Sequence, residues 1–262
     1  MNETIDPLEA AIEIHSNQAG QFAERYNRGL LDPYGDCFAY SRHRLDSLLY
    51  RLVPASGEGR SLIDVGCGTG NYVKQFMQRG FTVSGVDGSE EMLAYAHKNN
   101  LAADLRAGRM DALPFSNATF DFAICIEVLR YLPDPGPCLT ELARVLKPSG
   151  VAIVTAAPLF SLNFYPPVNR VARKFQSSHL VNLKQYFSTS RNLRRRLHRA
   201  GFQQVAAYGV YYGPVNWVER LLSPLTRPFL RAWEPLDALL AGKRPWADLS
   251  NMLLFYAVKA SR

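Results

Sequence analysis

LIDVGCGTG, residues 62–70, is the stretch of this sequence that decides the fold. An apolar run ends in Asp64, three glycines follow on alternate positions, and a helical pattern opens at Asn71. Glycine lacks a Cβ and tolerates positive φ, so this spacing lets the backbone turn sharply and come close to a ligand. A loop between a strand and a helix lies at the carboxyl end of the strand, where open α/β sheets bind ligands. The stretch therefore predicts an α/β fold with a ligand site at this loop.

The flanking sequence continues the alternation of strand and helix. Residues 81–86 predict a second strand that ends at Asp87, and Ser89 is a suitable N-cap for a helix through about Lys98. Residues 120–127 predict the fourth strand, and a helix near 138–146 precedes another strand at 151–156. Residues 251–260 read as the last strand. Regular alternation of this kind favours a mostly parallel sheet covered by helices.

The glycine spacing also indicates the kind of ligand. It is G-x-G-x-G, whereas dinucleotide sites use G-x-G-x-x-G. Together with Asp64 it resembles motif I of the class I S-adenosylmethionine (SAM) dependent methyltransferases. The resemblance covers about residues 60–157 and, more weakly, the last strand. It implies a Rossmann-like, doubly wound sheet of seven strands, mostly parallel with the last strand antiparallel, plus helical cap insertions, and SAM as the methyl donor.

The resemblance further implies where SAM binds. The glycine loop lies under the amino-acid part of SAM in this family, and Asp87 matches the acid that binds the ribose hydroxyls. Tyr26 falls in a segment that resembles the N-terminal helix that closes over SAM in small-molecule methyltransferases. Arg42 lies where some relatives place an arginine that pairs with the SAM carboxylate. A core role for Tyr26 and a surface role for Arg42 stay open. The implied contact residues are Asp64, Gly66, Cys67, Gly68, Asp87, Gly88, Met110, Asp111, Ile126, Tyr26 and Arg42.

Two places depart from the family pattern. Many relatives carry an Asp directly after the glycine of the adenine loop, where this sequence has Arg109, and Asp111 is the substitute two residues on. Residues 127–134 resemble the segment of ubiquinone-pathway O-methyltransferases in which a second Glu and a His help to hold a divalent metal. Arg130 and Tyr131 stand at those two places. Because a guanidinium repels a cation, we predict no metal site.

A general base assists methylation when the acceptor is a hydroxyl. Tyr131, which follows the fourth strand, is expected to face the reacting group. His179, in the insert after the fifth strand, is the preferred base. For both, an ordinary structural role stays open, since a histidine outside a motif is often structural. The histidines considered are His15, His43, His179 and His198.

Length and composition favour one enzyme domain with additions. The 262 residues predict a helical lid over 1–55 and a methyltransferase domain over 56–262, with cap insertions at about 158–187 and 213–250. The four cysteines lack C-x-x-C spacing, which favours a reducing compartment. No secretory signal and no apolar run long enough to span a bilayer is visible, so we expect a cytoplasmic protein.

Positive charge is concentrated outside the predicted core. Residues 158–250 hold 14 Lys or Arg against 4 Asp or Glu, a balance of +10, whereas the whole chain carries +7. In residues 214–250 arginines alternate with Trp217, Phe229, Trp233 and several leucines. This pattern is typical of an amphipathic cap packed on the core, and it also suits a membrane surface or a lipid-like acceptor. No RNA-binding module is recognisable, so no nucleic-acid partner is expected.

The sequence thus predicts a SAM-dependent methyltransferase for a small, hydrophobic or amphipathic acceptor. O-methylation is favoured over C- or N-methylation. The alternative is a catalytically silent relative that binds SAM or another ligand for a regulatory role, and Arg109 is its main support. A nicotinamide-dependent oxidoreductase ranks third because the glycine spacing disfavours it.

Overall fold

The fold is built on a twisted central sheet with helices on both faces. The structure, a computed structural model, describes residues 6–99, 102–163, 185–241 and 246–261. The strands within these ranges are β1 Ser61–Val65, β2 Thr82–Asp87, β3 Asp104–Ala107, β4 Phe120–Cys125, β5 Leu146–Pro158, β6 Phe187–Ser188, β7 Phe202–Gly209 and β8 Leu253–Lys259. The helices are α1 Pro7–Ser16, α2 Ala19–Leu31, α3 Cys37–Leu52, α4 Asn71–Gln78, α5 Glu90–Asn99, α6 Gly136–Val145, α7 Ser190–Arg199, α8 Val215–Leu221 and α9 Thr226–Leu240.

The strand order in space is β3-β2-β1-β4-β5-β8-β7, and the two-residue β6 pairs with the end of β5. Strands β1 to β5 run parallel, whereas β8 lies antiparallel between β5 and β7. From β1 the chain adds β2 and β3 on one side, and then it returns to add β4 and β5 on the other side of β1. Such a switch point, between β1 and β4, opens a crevice at the carboxyl ends of the strands. The expected mostly parallel sheet with an antiparallel last strand is confirmed, with β6 as a short addition.

Local sequence signals explain how the central strands connect to their helices. Gly70 precedes α4 with φ of 78°, a conformation that glycine adopts without steric cost, so the loop turns directly into the helix. Ser89 caps α5, because its Oγ accepts a hydrogen bond from the backbone N–H of Met92 at 3.0 Å. Both junctions place backbone N–H groups at the crevice.

Two apolar layers hold the sheet between its helices. Helices α3, α4 and α5 pack on one face, and α6 and α7 pack on the other. The arginine-rich α7 buries Leu193 and Leu197 and turns Arg191 and Arg195 outward, as expected for a solvated helix face. The four cysteines are buried and unpaired with one another. No helix in the described ranges has the length and apolar character needed to cross a bilayer.

The insert between β7 and β8 is fastened to the N-terminal helices. The Asp237 side chain on α9 is fully buried and pairs with Arg44 Nε on α3 at 3.0 Å. Tyr40 Oη donates to the same carboxylate at 2.6 Å, and the Tyr212 N–H donates to it at 2.7 Å. This buried polar network fixes how the cap sits on α3.

Candidate active site

A cavity lies in the crevice, at the carboxyl ends of β1, β2 and β4. It encloses about 1100 Å³, including the part that opens to solvent. The glycine loop forms its floor, and α1 and α2 form one wall through Leu8, Ile12, Phe22 and Tyr26. A concave, mostly apolar lining with a few polar side chains is typical of small-molecule and cofactor sites.

The glycine loop is held in shape by backbone hydrogen bonds. The Gly66 and Cys67 N–H groups both donate to the Val86 carbonyl, at 2.7 and 3.0 Å. Gly66 has φ of 77°, and a Cβ there would come within 2.3 Å of the Val128 side chain. Gly68 has φ of 52°, and a Cβ there would meet only Met92 Sδ, at 3.9 Å. Gly66 is therefore required for packing, whereas Gly68 leaves open space for a ligand beside the backbone.

Asp87, at the end of β2, organises this loop. Its Oδ2 accepts from the Gly68 N–H at 2.8 Å, and its Oδ1 accepts from the Ser89 N–H at 2.9 Å. Each carboxylate oxygen has a second acceptor site, so both retain capacity for a ligand hydroxyl. Burial raises the pKa of Asp87, although these backbone N–H donors oppose the rise. The geometry suits a pair of ribose hydroxyls.

Asp64 contributes a buried acceptor to the same cavity. Its side chain is 2% exposed, and its Oδ2 has no hydrogen-bond partner among the described residues. Burial raises the pKa of Asp64 to about 8, and the nearby charge of Asp87 adds to the rise. A cation placed beside this carboxylate would stabilise its ionised form.

Arg42 contributes buried donors opposite in charge to Asp64. Its Nη2 lies 2.9 Å from Glu127 Oε2, and its guanidinium lies 5.2 Å from the ring centres of Tyr26 and Phe38. Nε and Nη1 are buried and have no hydrogen-bond partner among the described residues. Buried donors without partners are costly, so these two are available to an incoming carboxylate.

The donor set fits SAM. Asp64 Oδ2 and two nitrogens of Arg42, Nε and Nη1, line one cavity and have no hydrogen-bond partner among the described residues. The carboxylate would bind the ammonium group of the SAM amino acid, and the guanidinium would bind its carboxylate. Asp87 lies in the same cavity and would bind the ribose hydroxyls. The open space beside Gly68 lets the ligand come close to the backbone.

Ten of the eleven residues expected to contact SAM line this cavity. They are Asp64, Gly66, Cys67, Gly68, Asp87, Gly88, Met110, Ile126, Tyr26 and Arg42. Asp111 does not line it, because its carboxylate pairs with Arg109, whose Nε and Nη2 each lie 3.0 Å from it. Arg109 is half exposed and also reaches Asp6, the N-cap of α1, at 3.5 Å. Direct contact of Asp111 with the adenine stays a prediction.

Of the two candidate catalytic residues, Tyr131 lines the cavity and His179 lies outside the described residues. The structure places His15 beside Tyr131, with Tyr131 Oη 3.4 Å from His15 Nε2. Our interpretation of the sequence ranked His15 below His179. A signal for it was present: Leu8, Ala11, Ile12 and His15 follow the i, i+3, i+4, i+7 spacing of one helix face. That face is the one that α1 turns to the cavity.

Glu127 sits at the junction of β4 with the following turn. Its φ is 65°, a left-handed conformation that residues other than glycine seldom adopt and that concentrates at functional sites. Its carboxylate forms ion pairs with Arg42 and Arg130. Burial would raise the pKa of Glu127, but Arg130 and Arg42 together outweigh it and hold the pKa below its usual value. Arg130 thus supplies a fixed positive charge to Glu127. In the described ranges, no three His, Cys, Asp or Glu side chains are placed to hold a metal ion.

Comparison with known proteins agrees with this site. A family profile described as a methyltransferase domain matches residues 63–154. A ubiquinone biosynthesis O-methyltransferase of Azoarcus sp. (strain BH72) is 28% identical over 180 residues, covering 62% of this chain and 72% of that protein. A malonyl-[acyl-carrier protein] O-methyltransferase of Pectobacterium atrosepticum is 32% identical over 116 residues. That match covers 44% of this chain and 46% of that protein, so the chain spans about half the length of this relative.

Solved structures show the same fold over nearly the whole chain. A SAM-dependent methyltransferase of Thermotoga maritima, described as a possible histamine N-methyltransferase, superposes with a TM-score of 0.61 at 20% identity. The superposition covers 91% of this chain and 97% of that one. The fold, the glycine loop with Asp64 and Asp87, and the sequence matches lead to one conclusion. Residues 63–154 form a methyltransferase domain, the fold is that of the class I SAM-dependent methyltransferases, and SAM is the methyl donor.

Proposed function

We propose that this enzyme methylates an oxygen atom of a small-molecule acceptor. The observation that carries the proposal is the His15–Tyr131 pair, which places a proton acceptor in the wall of the SAM cavity. The names of the two O-methyltransferase relatives support the same chemistry. When bound, SAM supplies a methyl group made electrophilic by its sulfonium.

Hydrogen bonding fixes the role of each His15 nitrogen. Nδ1 lies 2.6 Å from the Ala11 carbonyl, and a carbonyl only accepts, so Nδ1 carries the proton. Nε2 is therefore the basic atom of the neutral ring. Phe22 stacks on the ring with centroids 5.1 Å apart, which restricts its orientation. In the proposed reaction Nε2 takes the proton of the acceptor hydroxyl, and Tyr131 Oη orients that hydroxyl.

The proposal predicts a large loss of activity in His15→Phe. Removal of a general base lowers the rate by about 10²- to 10⁴-fold, whereas the stacking on Phe22 is preserved in this variant. The measurement is methyl release from labelled SAM in fractions of a cell extract, polar and lipid, with SAM affinity measured in parallel. His43→Phe is the matched control, since His43 bonds Glu234 outside the cavity. Full activity of His15→Phe with intact SAM binding would refute the role of His15.

The alternative of a catalytically silent, regulatory protein rested mainly on Arg109, and this support is lost. Arg109 does not line the cavity and pairs with Asp111 and Asp6 instead. An arginine in that position leaves the SAM cavity intact.

We further propose that α1 and α2 serve as a lid over bound SAM. Side chains from both helices line the cavity, and Ser16 Oγ on α1 donates to Ser89 Oγ at 2.7 Å. If they are a lid, SAM should slow hydrogen exchange across residues 7–31. Exchange in these helices that SAM leaves unchanged would argue against a lid.

The charge of Arg130 also leads to an expectation about metal dependence. Because Arg130 supplies the positive charge beside Glu127, activity on any acceptor is expected to survive EDTA. The measurement is the initial rate after dialysis against the chelator. Loss of activity that magnesium restores would contradict the prediction.

We also propose peripheral membrane contact through α8, α9 and the turn between them. Trp217, Phe229 and Trp233 face inward, since the Trp217 indole donates to the Asn163 carbonyl at 2.9 Å and the other two rings stack on each other. The apolar surface turned outward is instead formed by leucines. They are Leu221, Leu222, Leu225, Leu236 and Leu239, at 44–70% exposure.

Sedimentation with vesicles tests this contact. The exposed leucines and Arg220 lead us to expect more binding to anionic than to neutral vesicles, weakened by salt because exposed charges are screened over about 8–10 Å. Leu221→Ser with Leu225→Ser should reduce it, and Leu30→Ser, an exposed leucine of α2, is the control. If the wild type ignores both kinds of vesicle, the cap only covers the site.

A further inference from the structure

A second cavity adjoins the SAM cavity and has a different chemical character. Glu127 and Phe38 line both cavities, so the two share a wall. The second cavity is bounded by α2, α3, the end of β5, residues 161–163 and α8, and it has a volume of about 810 Å³ with its open part included. More than half of its lining residues are polar or charged, among them Arg25, Arg130, Glu127, Glu219, Asn163 and Asn251.

Arg25 lines this cavity without forming an ion pair among the described residues. Its guanidinium lies 4.1 Å from the centre of the Phe38 ring, which holds it flat against the wall. Within the described residues it forms no ion pair or hydrogen bond. Arg130 pairs with Glu127, whereas Glu219 accepts from the neutral Cys37 N–H at 3.1 Å, so the two arginines and two glutamates of the lining balance in charge. Arg25 is the lining arginine that forms neither an ion pair nor a hydrogen bond within the described residues, so its guanidinium is available to an anion.

Asn163 supplies a buried acceptor on the cap side of the cavity. It is 3% exposed, and its backbone is fixed because its N–H donates to Ser161 Oγ at 3.2 Å and its carbonyl accepts from Trp217. Its side-chain Oδ1 has no hydrogen-bond partner among the described residues. A buried amide oxygen held this rigidly costs free energy until a donor reaches it.

We infer that this cavity binds the methyl acceptor, and that the acceptor is a small polar molecule with an anionic group. The anion, a carboxylate or a phosphate, pairs with Arg25, and a hydroxyl or amide N–H of the same molecule donates to Asn163. The acceptor oxygen then lies toward Glu127, at the shared wall. This inference rests on the proposed function and names its substrate class. Of the hydrophobic or amphipathic acceptors that the sequence predicted, the polar lining favours the amphipathic kind.

Calorimetry with the S-adenosylhomocysteine-loaded enzyme tests the inference. The probes are 4-hydroxybenzoate for a carboxylate, phenyl phosphate for a phosphate, and the neutral 4-hydroxybenzamide. We expect at least one anion to bind about tenfold or more tightly than the amide. Arg25→Gln should remove that preference, whereas Arg28→Gln should keep it, since Arg28 is exposed on α2 and lines neither cavity. Asn163→Leu should weaken every hydroxylated probe.

Three results would overturn the inference. They are equal binding of the amide and the acids, an Arg25→Gln effect no larger than that of Arg28→Gln, and no binding of either anion at millimolar concentration. Failure of S-adenosylhomocysteine itself to bind would instead contradict the proposed function, so the two failures are distinguishable.

Discussion

Asp237→Ala is expected to lower the free energy of unfolding by about 3–5 kcal/mol, the usual cost of breaking a buried ion pair from one side. The change leaves the Arg44 guanidinium, 8% exposed, with Glu234 at 3.2 Å as its remaining carboxylate partner. It also removes the acceptor for Tyr40 Oη and for the Tyr212 N–H. Chemical denaturation followed by circular dichroism measures the loss.

Two control variants separate charge from hydrogen bonding at this position. Asp237→Asn keeps an acceptor oxygen and is expected to cost less than the alanine variant. Asp104→Ala breaks the exposed pair with Arg106, and exposed pairs contribute about 0–1 kcal/mol. If Asp237→Ala costs no more than Asp104→Ala, the buried network does not fasten the cap.

Asp64→Asn is expected to stabilise the SAM-free protein, increasingly so as the pH rises. The unfolded side chain loses its proton near its ordinary pKa of about 4, whereas the folded one keeps it to about 8. Between these values the folded state binds more protons, so wild-type stability falls as the pH rises. Asparagine does not ionise. The advantage of the variant should therefore appear above about pH 4, grow to about pH 8 and then level off.

Thermal unfolding of both proteins across this range measures the difference. Glu141→Gln should instead lower the stability, because a hydrogen bond from Arg144 lowers the pKa of Glu141 in the folded state. This loss of stability should be complete above the ordinary pKa of a glutamate, and it should vanish as the pH falls below the pKa of Glu141 in the folded state. A pH-independent effect of Asp64→Asn would show that Asp64 is ionised in the folded state.

The central sheet and the SAM cavity could be predicted because local signals specify them. The glycines at 66, 68 and 70 and the Ser89 cap act within a few residues of the chain, and Asp64 and Asp87 lie in the last two positions of neighbouring strands. Their neighbours in space follow from the parallel order of the strands. Ten predicted contact residues accordingly meet in one cavity.

Features that depend on packing between distant segments were harder to predict. The spacing of the aromatic residues at 217, 229 and 233 suited both a cap packed on the core and a membrane surface, and the fold packs Phe229 and Trp233 against the apolar cluster that α3, α4 and α5 cover. Arg25 and Asn163 are 138 positions apart in sequence, and neither belongs to a motif. Only the fold brings them to one cavity, so the polar nature of the acceptor site has no local signature.

Calorimetric titration of the purified protein with SAM tests the central claim most directly. The account predicts one saturable site with affinity of about 1 μM to 1 mM, and no heat from NADH. Asp87→Ala should bind SAM at least tenfold more weakly, since it loses hydrogen bonds to a charged group of about 1.5–3 kcal/mol each and the anchor of the Gly68 N–H. Absence of SAM binding, binding of NADH in its place, or unchanged affinity in Asp87→Ala would contradict it.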